Sequence, residues 1–137
     1  MKKILALVGI FITTISCSTD VDEPNVSYDL QPIQNVTLPD TISLGDINNI
    51  VIEYLKPTTC HGFDGFLYEK NGLTRTIAVQ NYFYQNNTCQ PLTNEVKTET
   101  LEFQPTDTGT YTFKFWQGKD LAGNDMFLEI ERPSKLF

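Results

Sequence analysis

From residue 33 onward, apolar and polar positions alternate with a period of two, and no window carries the i, i+3, i+4, i+7 spacing of an amphipathic helix. Ile50, Ile52 and Tyr54 fall on one face of an extended chain, with Val51, Glu53 and Leu55 on the other. Met126, Leu128 and Ile130 alternate in the same way with Phe127, Glu129 and Glu131. Residues 66–70 and 73–82 flank Asn71-Gly72, a dipeptide that readily takes the positive φ values of a tight hairpin turn. Further strands are predicted over 36–38, 42–44, 96–103 and 110–117, separated by turn-formers such as Pro105-Thr106-Asp107 and the stretch 118–125. The pattern predicts an all-β, antiparallel β-sandwich of seven or eight strands over residues 33–137, with no internal repeat.

One segment sharpens that architecture. Asp107-Thr108-Gly109-Thr110-Tyr111-Thr112-Phe113 resembles the Asp-x-Gly-x-Tyr-x-Cys stretch that opens strand F of immunoglobulin-like domains, with Phe113 in the place of the cysteine. The resemblance implies an immunoglobulin-like sandwich in which the Tyr111 hydroxyl bonds back to nearby backbone and fixes a corner. It implies no ligand, because a fold of this kind hosts many functions.

The first 32 residues follow a different pattern. Lys2 and Lys3 precede an uncharged apolar run, which with its flank spans about 12 residues against the roughly 20 needed to cross a bilayer. The layout is that of an export signal rather than a permanent span. Thr14-Ile15-Ser16-Cys17 resembles a bacterial lipobox, which implies a signal peptide over 1–16, removed in processing, and a lipid on Cys17 that anchors the chain to a membrane. The acidic stretch that follows, with Asp20, Asp22 and Glu23, resembles the surface-export signal of Bacteroidetes lipoproteins and implies an outer-membrane, surface-exposed location. Residues 17–32 lack periodicity and contain Pro24 and Pro32, and so read as a lipidated acidic tether. Asp40-Thr41-Ile42 resembles the Asp-Ser/Thr-apolar motif of O-glycosylation in the same phylum, which makes Thr41 a candidate glycosylation site.

Charge narrows the partners. The chain carries a net charge of −7, and loss of Lys2 and Lys3 with the signal peptide leaves 8 basic against 17 acidic residues, or −9. Phosphate contacts need clustered Lys and Arg, which no window supplies, so nucleic acid is excluded as a partner.

With Cys17 lipidated, Cys60 and Cys89 form an even pair in an exported protein and are expected to be bridged. Folding back the hairpin at Asn71-Gly72 brings Cys60 near Tyr82 and Phe83. His61 is the chain's one histidine and, with Asp64, provides too few ligands for a metal site; Asp120, Asn124 and Asp125 do not have the spacing of a calcium loop. No Gly-x-Ser-x-Gly and no phosphate-binding glycine loop is present, and no cofactor is implied. The aromatic run Tyr82-Phe83-Tyr84 cannot bury all three rings on one strand face, and Phe63 lies in the Cys60 loop. These four residues form the candidate binding set for a protein or a glycan, whereas Trp116 is assigned to the core or the sheet surface.

The chain as a whole resembles small lipoproteins of Flavobacteria-type Bacteroidetes, a resemblance that implies no defined activity. The leading expectation is a non-catalytic, lipid-anchored binding module of the cell envelope. The alternatives are a structural or accessory subunit of an envelope complex, and a small inhibitor or enzyme.

Overall fold

The computed structural model describes residues 25–85 and 88–137. The signal-peptide and lipobox positions, Cys17 included, lie outside the described residues. Among the described residues no helix is long and apolar enough to cross a membrane.

Nine strands form in chain order: β1 (Val26–Gln31), β2 (Ile33–Thr37), β3 (Ile42–Ser43), β4 (Asn48–Leu55), β5 (His61–Asn71), β6 (Thr74–Tyr84), β7 (Val96–Phe103), β8 (Thr110–Lys119) and β9 (Asp125–Lys135). They build a β-sandwich of a three-stranded sheet, β2-β4-β7, and a six-stranded sheet of β1, β3, β5, β6, β8 and β9. All eight expected strands are present. The ninth, β1, lies inside the segment read as tether, so the folded domain begins before Ile33. Val26, Tyr28 and Leu30 alternate with Ser27, Asp29 and Gln31, and the flanking prolines bracket this short strand without interrupting it.

Two strand pairs run parallel in the otherwise antiparallel sandwich: β3 with β9, and β6 with β8. β6 and β8 can pair in this sense because the chain crosses between them through β7 in the other sheet. One edge of β6 is taken by β5 along its whole length. Its other edge is divided, with β8 pairing from Thr74 to Ile77 and β1 pairing from Val79 to Tyr84. The two partners part at Ala78. The β5–β6 hairpin forms as expected, but its turn is displaced by one residue: Asn71 pairs with Thr74, leaving Gly72 and Leu73 as the turn. Gly72 takes φ +57° and Leu73 stays at negative φ, the glycine-first pattern of a type II′ turn.

The core is the seam between the sheets. Ile50, Ile52, Tyr54 and Phe103 from the small sheet meet Ile77, Val79, Tyr111, Phe113 and Phe115 from the large one. β4 and β8 show the alternation expected of half-buried strands, each burying every second side chain over most of its length. Phe113, in the cysteine place of the immunoglobulin pattern, sits edge-on to Phe103 at 5.2 Å, so a ring contact spans the sheets where a disulfide would. Buried Arg75 lies over the Tyr111 ring at 5.0 Å and the Phe103 ring at 5.7 Å, while its Nη1 donates to the carbonyls of Gly72 and Thr74.

The tyrosine corner is in place. The fully buried Tyr111 donates its hydroxyl to the Asp107 carbonyl at 3.0 Å and accepts the Asp107 N–H at 3.2 Å. Tyr111→Phe removes both bonds and should cost about 1 kcal/mol, read from the urea midpoint at unchanged m-value. A variant as stable as the wild type would show that the corner is held by packing alone.

Candidate functional site

The Cys60–Cys89 disulfide is formed, with an S–S distance of 2.03 Å and Cα atoms 5.4 Å apart. It closes the loop after β6 onto the turn before β5. Backbone bonds from Thr59 N–H to the Gln90 carbonyl (3.0 Å) and from Leu92 N–H to the Pro57 carbonyl (2.8 Å) reinforce the closure.

His61 belongs to this closure rather than to an open surface loop. Its ring stacks on Phe83 at 4.9 Å, and its side chain keeps 10% exposure. The Thr58 hydroxyl accepts the Cys60 N–H at 3.2 Å and shares a hydrogen bond with His61 Nδ1 at 2.7 Å. His61 Nε2 then donates to Asp29 Oδ2 at 3.2 Å. This line of hydroxyl, imidazole and carboxylate straps β1 to the turn before β5. Below it lies buried Asn81, beside the Tyr54 hydroxyl, whose pKa is raised by burial and then by the charge of Glu99 and is partly lowered again by Asn81.

The pleat of β6 divides the four candidate aromatics. Phe83 shares the inward face of Ile77 and Val79, and Phe63, opposite Asn81, packs on Phe66 at 5.0 Å and Tyr54 at 6.5 Å against the core. Tyr82 and Tyr84 point outward, with rings edge-on at 5.6 Å, and Tyr84 is 45% exposed. β1 adds a residue that sequence reasoning missed: Tyr28, 60% exposed, pairs directly with Tyr82. The Tyr82 ring lies across Gly62, where a Cβ would clash with it, so glycine there lets the ring lie flat on the sheet. Thr41, half-exposed, lies in the bend before β3, and neighbouring Asp40 faces Arg132 at 3.8 Å.

The outward face carries a second feature that the sequence concealed. At the fork between β1 and β8, the small side chain of Ala78 forms the floor of a groove of ≈ 560 Å³. Leu67 and Tyr68 of β5 line one side, and Trp116 and Phe127, paired across β8 and β9, line the other. Glu69, Thr76, Lys119 and Asp125 supply its polar groups. Trp116 Nε1 donates to Asp125 Oδ1 at 2.9 Å, and Lys119 Nζ donates to the same oxygen at 2.7 Å. Lys114 sits 4.8 Å above the Phe127 ring and pairs with Glu129 at 3.2 Å. Among the described residues no group of three potential metal ligands is found.

The hydrogen bond from Lys119, followed by that from Trp116, holds the Asp125 carboxyl below its ordinary value of 3.8. A lowered folded-state pKa means that this contribution to stability is present above the unfolded pKa and is lost as pH falls through the folded one. Trp116 is the chain's one tryptophan, so fluorescence reports its surroundings with no second indole to confuse the signal. Acid titration of the folded protein should therefore show a Trp116 transition centred below pH 3.8, absent in Asp125→Asn. A transition that persists in Asp125→Asn would assign it to another group.

Compared with known protein families, curated proteins and solved structures, the chain matches none.

Proposed function

We propose that this chain is a non-catalytic, lipid-anchored binding module of the bacterial envelope, held in the outer membrane through Cys17 and meeting its ligand with the outward face of the six-stranded sheet. The observation that carries this reading is the aromatic character of that face. A sheet that buries one face in a sandwich ordinarily presents polar side chains on the other. Here Tyr28, Tyr82 and Tyr84 near the disulfide are joined by Leu67, Trp116 and Phe127 across the fork. Apolar and aromatic side chains left accessible on one face in this way are a mark of interaction sites. The Cys60–Cys89 bridge suits an oxidising compartment outside the cytoplasm.

The test has two parts. Cys17→Ala should move the protein from the membrane fraction to the soluble fraction; continued partition into detergent would refute the anchor. In the soluble Cys17→Ala background, Tyr82→Ala with Tyr84→Ala should weaken retention on isolated envelopes while leaving the unfolding midpoint nearly unchanged. Phe63→Ala, by contrast, should lower that midpoint, because its ring packs against the core.

The accessory-subunit reading draws on one separate observation. The outer edge of β5, over His61–Asn71, pairs with no strand among the described residues, and such an edge can accept a strand from another chain.

A further inference from the structure

We infer that the groove over Ala78 is a binding site for an uncharged oligosaccharide. The inference rests on the outward face being the binding surface and specifies which ligand that face takes.

The groove is a product of topology. Where the edge of β6 changes partner from β8 to β1, Ala78 is flanked by larger side chains on both sides, which leaves a trough with an apolar floor. Its volume of ≈ 560 Å³ lies within the roughly 300–1,000 Å³ of small-molecule sites. The indole of Trp116 is already fixed by its bond to Asp125 and by its cross-strand partner Phe127. A ligand stacking on it loses little further side-chain freedom.

The chemistry of the rim selects among ligand classes. Beside the groove, Asp125 is paired with Lys119 at 2.7 Å and Glu129 with Lys114 at 3.2 Å, which leaves Glu69 as the carboxylate of the lining with no ion pair among the described residues. Both lysines already face a carboxylate, and a net charge of −7 disfavours an anion. What remains is hydrogen-bonding capacity of both senses: Glu69 and Asp125 accept, Lys119 donates, and the Thr76 hydroxyl does either. A sugar ring matches this combination, with an apolar C–H face for the indole and hydroxyls at its edge for the rim. A peptide strand fits less well. On a sheet face the backbone N–H and C=O groups are already committed to neighbouring strands, so strand addition, which needs a free edge, is not possible there. An acyl chain would leave Glu69, Thr76 and Lys119 facing hydrocarbon without compensation.

The experiment titrates the full chain, solubilised in detergent, with a panel of neutral tetrasaccharides, with uronic-acid oligosaccharides and with a fatty acid. Trp116 fluorescence and calorimetry provide the readouts. At least one neutral saccharide should perturb Trp116 and release heat, with affinity reduced about tenfold or more in Ala78→Leu, which fills the floor. Because an added side chain can disturb a sheet, Thr76→Val provides a second variant, expected to weaken binding while leaving the unfolding midpoint unchanged. Saccharide binding that both variants leave untouched would overturn the assignment to this groove. Preferential binding of the uronic-acid oligomers or the fatty acid, or self-association lost in Ala78→Leu, would overturn the ligand class while leaving the face as a binding surface. No response to any probe would overturn the oligosaccharide assignment, and wild-type envelope retention of the Ala78→Leu and Tyr82→Ala/Tyr84→Ala variants in the soluble Cys17→Ala background would overturn the binding face as well.

Discussion

Replacing Phe113 with alanine should lower the free energy of unfolding by about 3 to 5 kcal/mol, the range observed when a large buried aromatic is truncated. The ring is completely buried, edge-on to Phe103 at 5.2 Å in the opposite sheet and stacked in line with Tyr111 and Phe115, each at 6.2 Å on its own strand. Alternate residues of β8 thus form a column of three rings, and the middle one has aromatic neighbours on three sides. Removing it leaves a void that rings anchored in two different sheets cannot easily close. Since small domains have only about 5 to 15 kcal/mol of net stability, the loss should appear as a large shift in the urea midpoint. Phe113→Leu, which keeps most of the volume, should cost distinctly less. A loss below about 1 kcal/mol for Phe113→Ala would mean that the seam collapses freely, and that Phe113 does not serve as the cross-sheet bridge its position suggests.

Removing the disulfide with Cys60→Ser and Cys89→Ser should cost about 3 to 4 kcal/mol, the chain-entropy expectation for cysteines 29 residues apart. The effect arises mostly in the unfolded chain, which regains the freedom that the bridge removes. In the folded state the bonds from Thr59 to Gln90 and from Leu92 to Pro57 remain, as does the strap through His61. Unfolding of the double variant should accordingly remain a single transition at a lower midpoint. A biphasic curve would show instead that the bridge is what docks the loop.

Much of the architecture was legible because it rests on local rules. Period-two alternation located eight strands, Gly72 located a hairpin, and the spacing of Asp107, Gly109 and Tyr111 identified a corner that the hydroxyl of Tyr111 closes. β1 was missed because six residues between two prolines offer few cycles of alternation, and because its strand character depends on β6, about fifty residues away, for pairing. The site was legible in part. Three consecutive aromatics on a strand must face both ways, but which rings face outward depends on registry with β5, and β5 is shifted by a bulge between Phe63 and Gly65. The groove left no signature in the sequence. Its lining comes from β1, β5, β6, β8 and β9, brought together by a fork in pairing that no local pattern encodes. The place of His61 in the strap was not legible for the same reason, since one of its two partners, Asp29, belongs to the strand that was missed.

The direction in which β1 enters the sheet bears on how the domain withstands being pulled. β1 runs antiparallel to β6, so the chain enters beside Tyr84 at the disulfide end, while β9 finishes against β3 at the opposite end, where Leu44 N–H meets the Lys135 carbonyl. A force applied through the residues before Asn25, as by a tether under tension, acts along the axis of β1. Inter-strand hydrogen bonds lie perpendicular to that axis, so those linking Val26–Gln31 to β6 are loaded together, in shear, rather than opened one after another as in a zipper. The bond from His61 to Asp29 adds a lateral tie at the middle of the strand. A six-residue strand that contributes little to the core thereby becomes the mechanical clamp through which the rest of the sandwich is held in place.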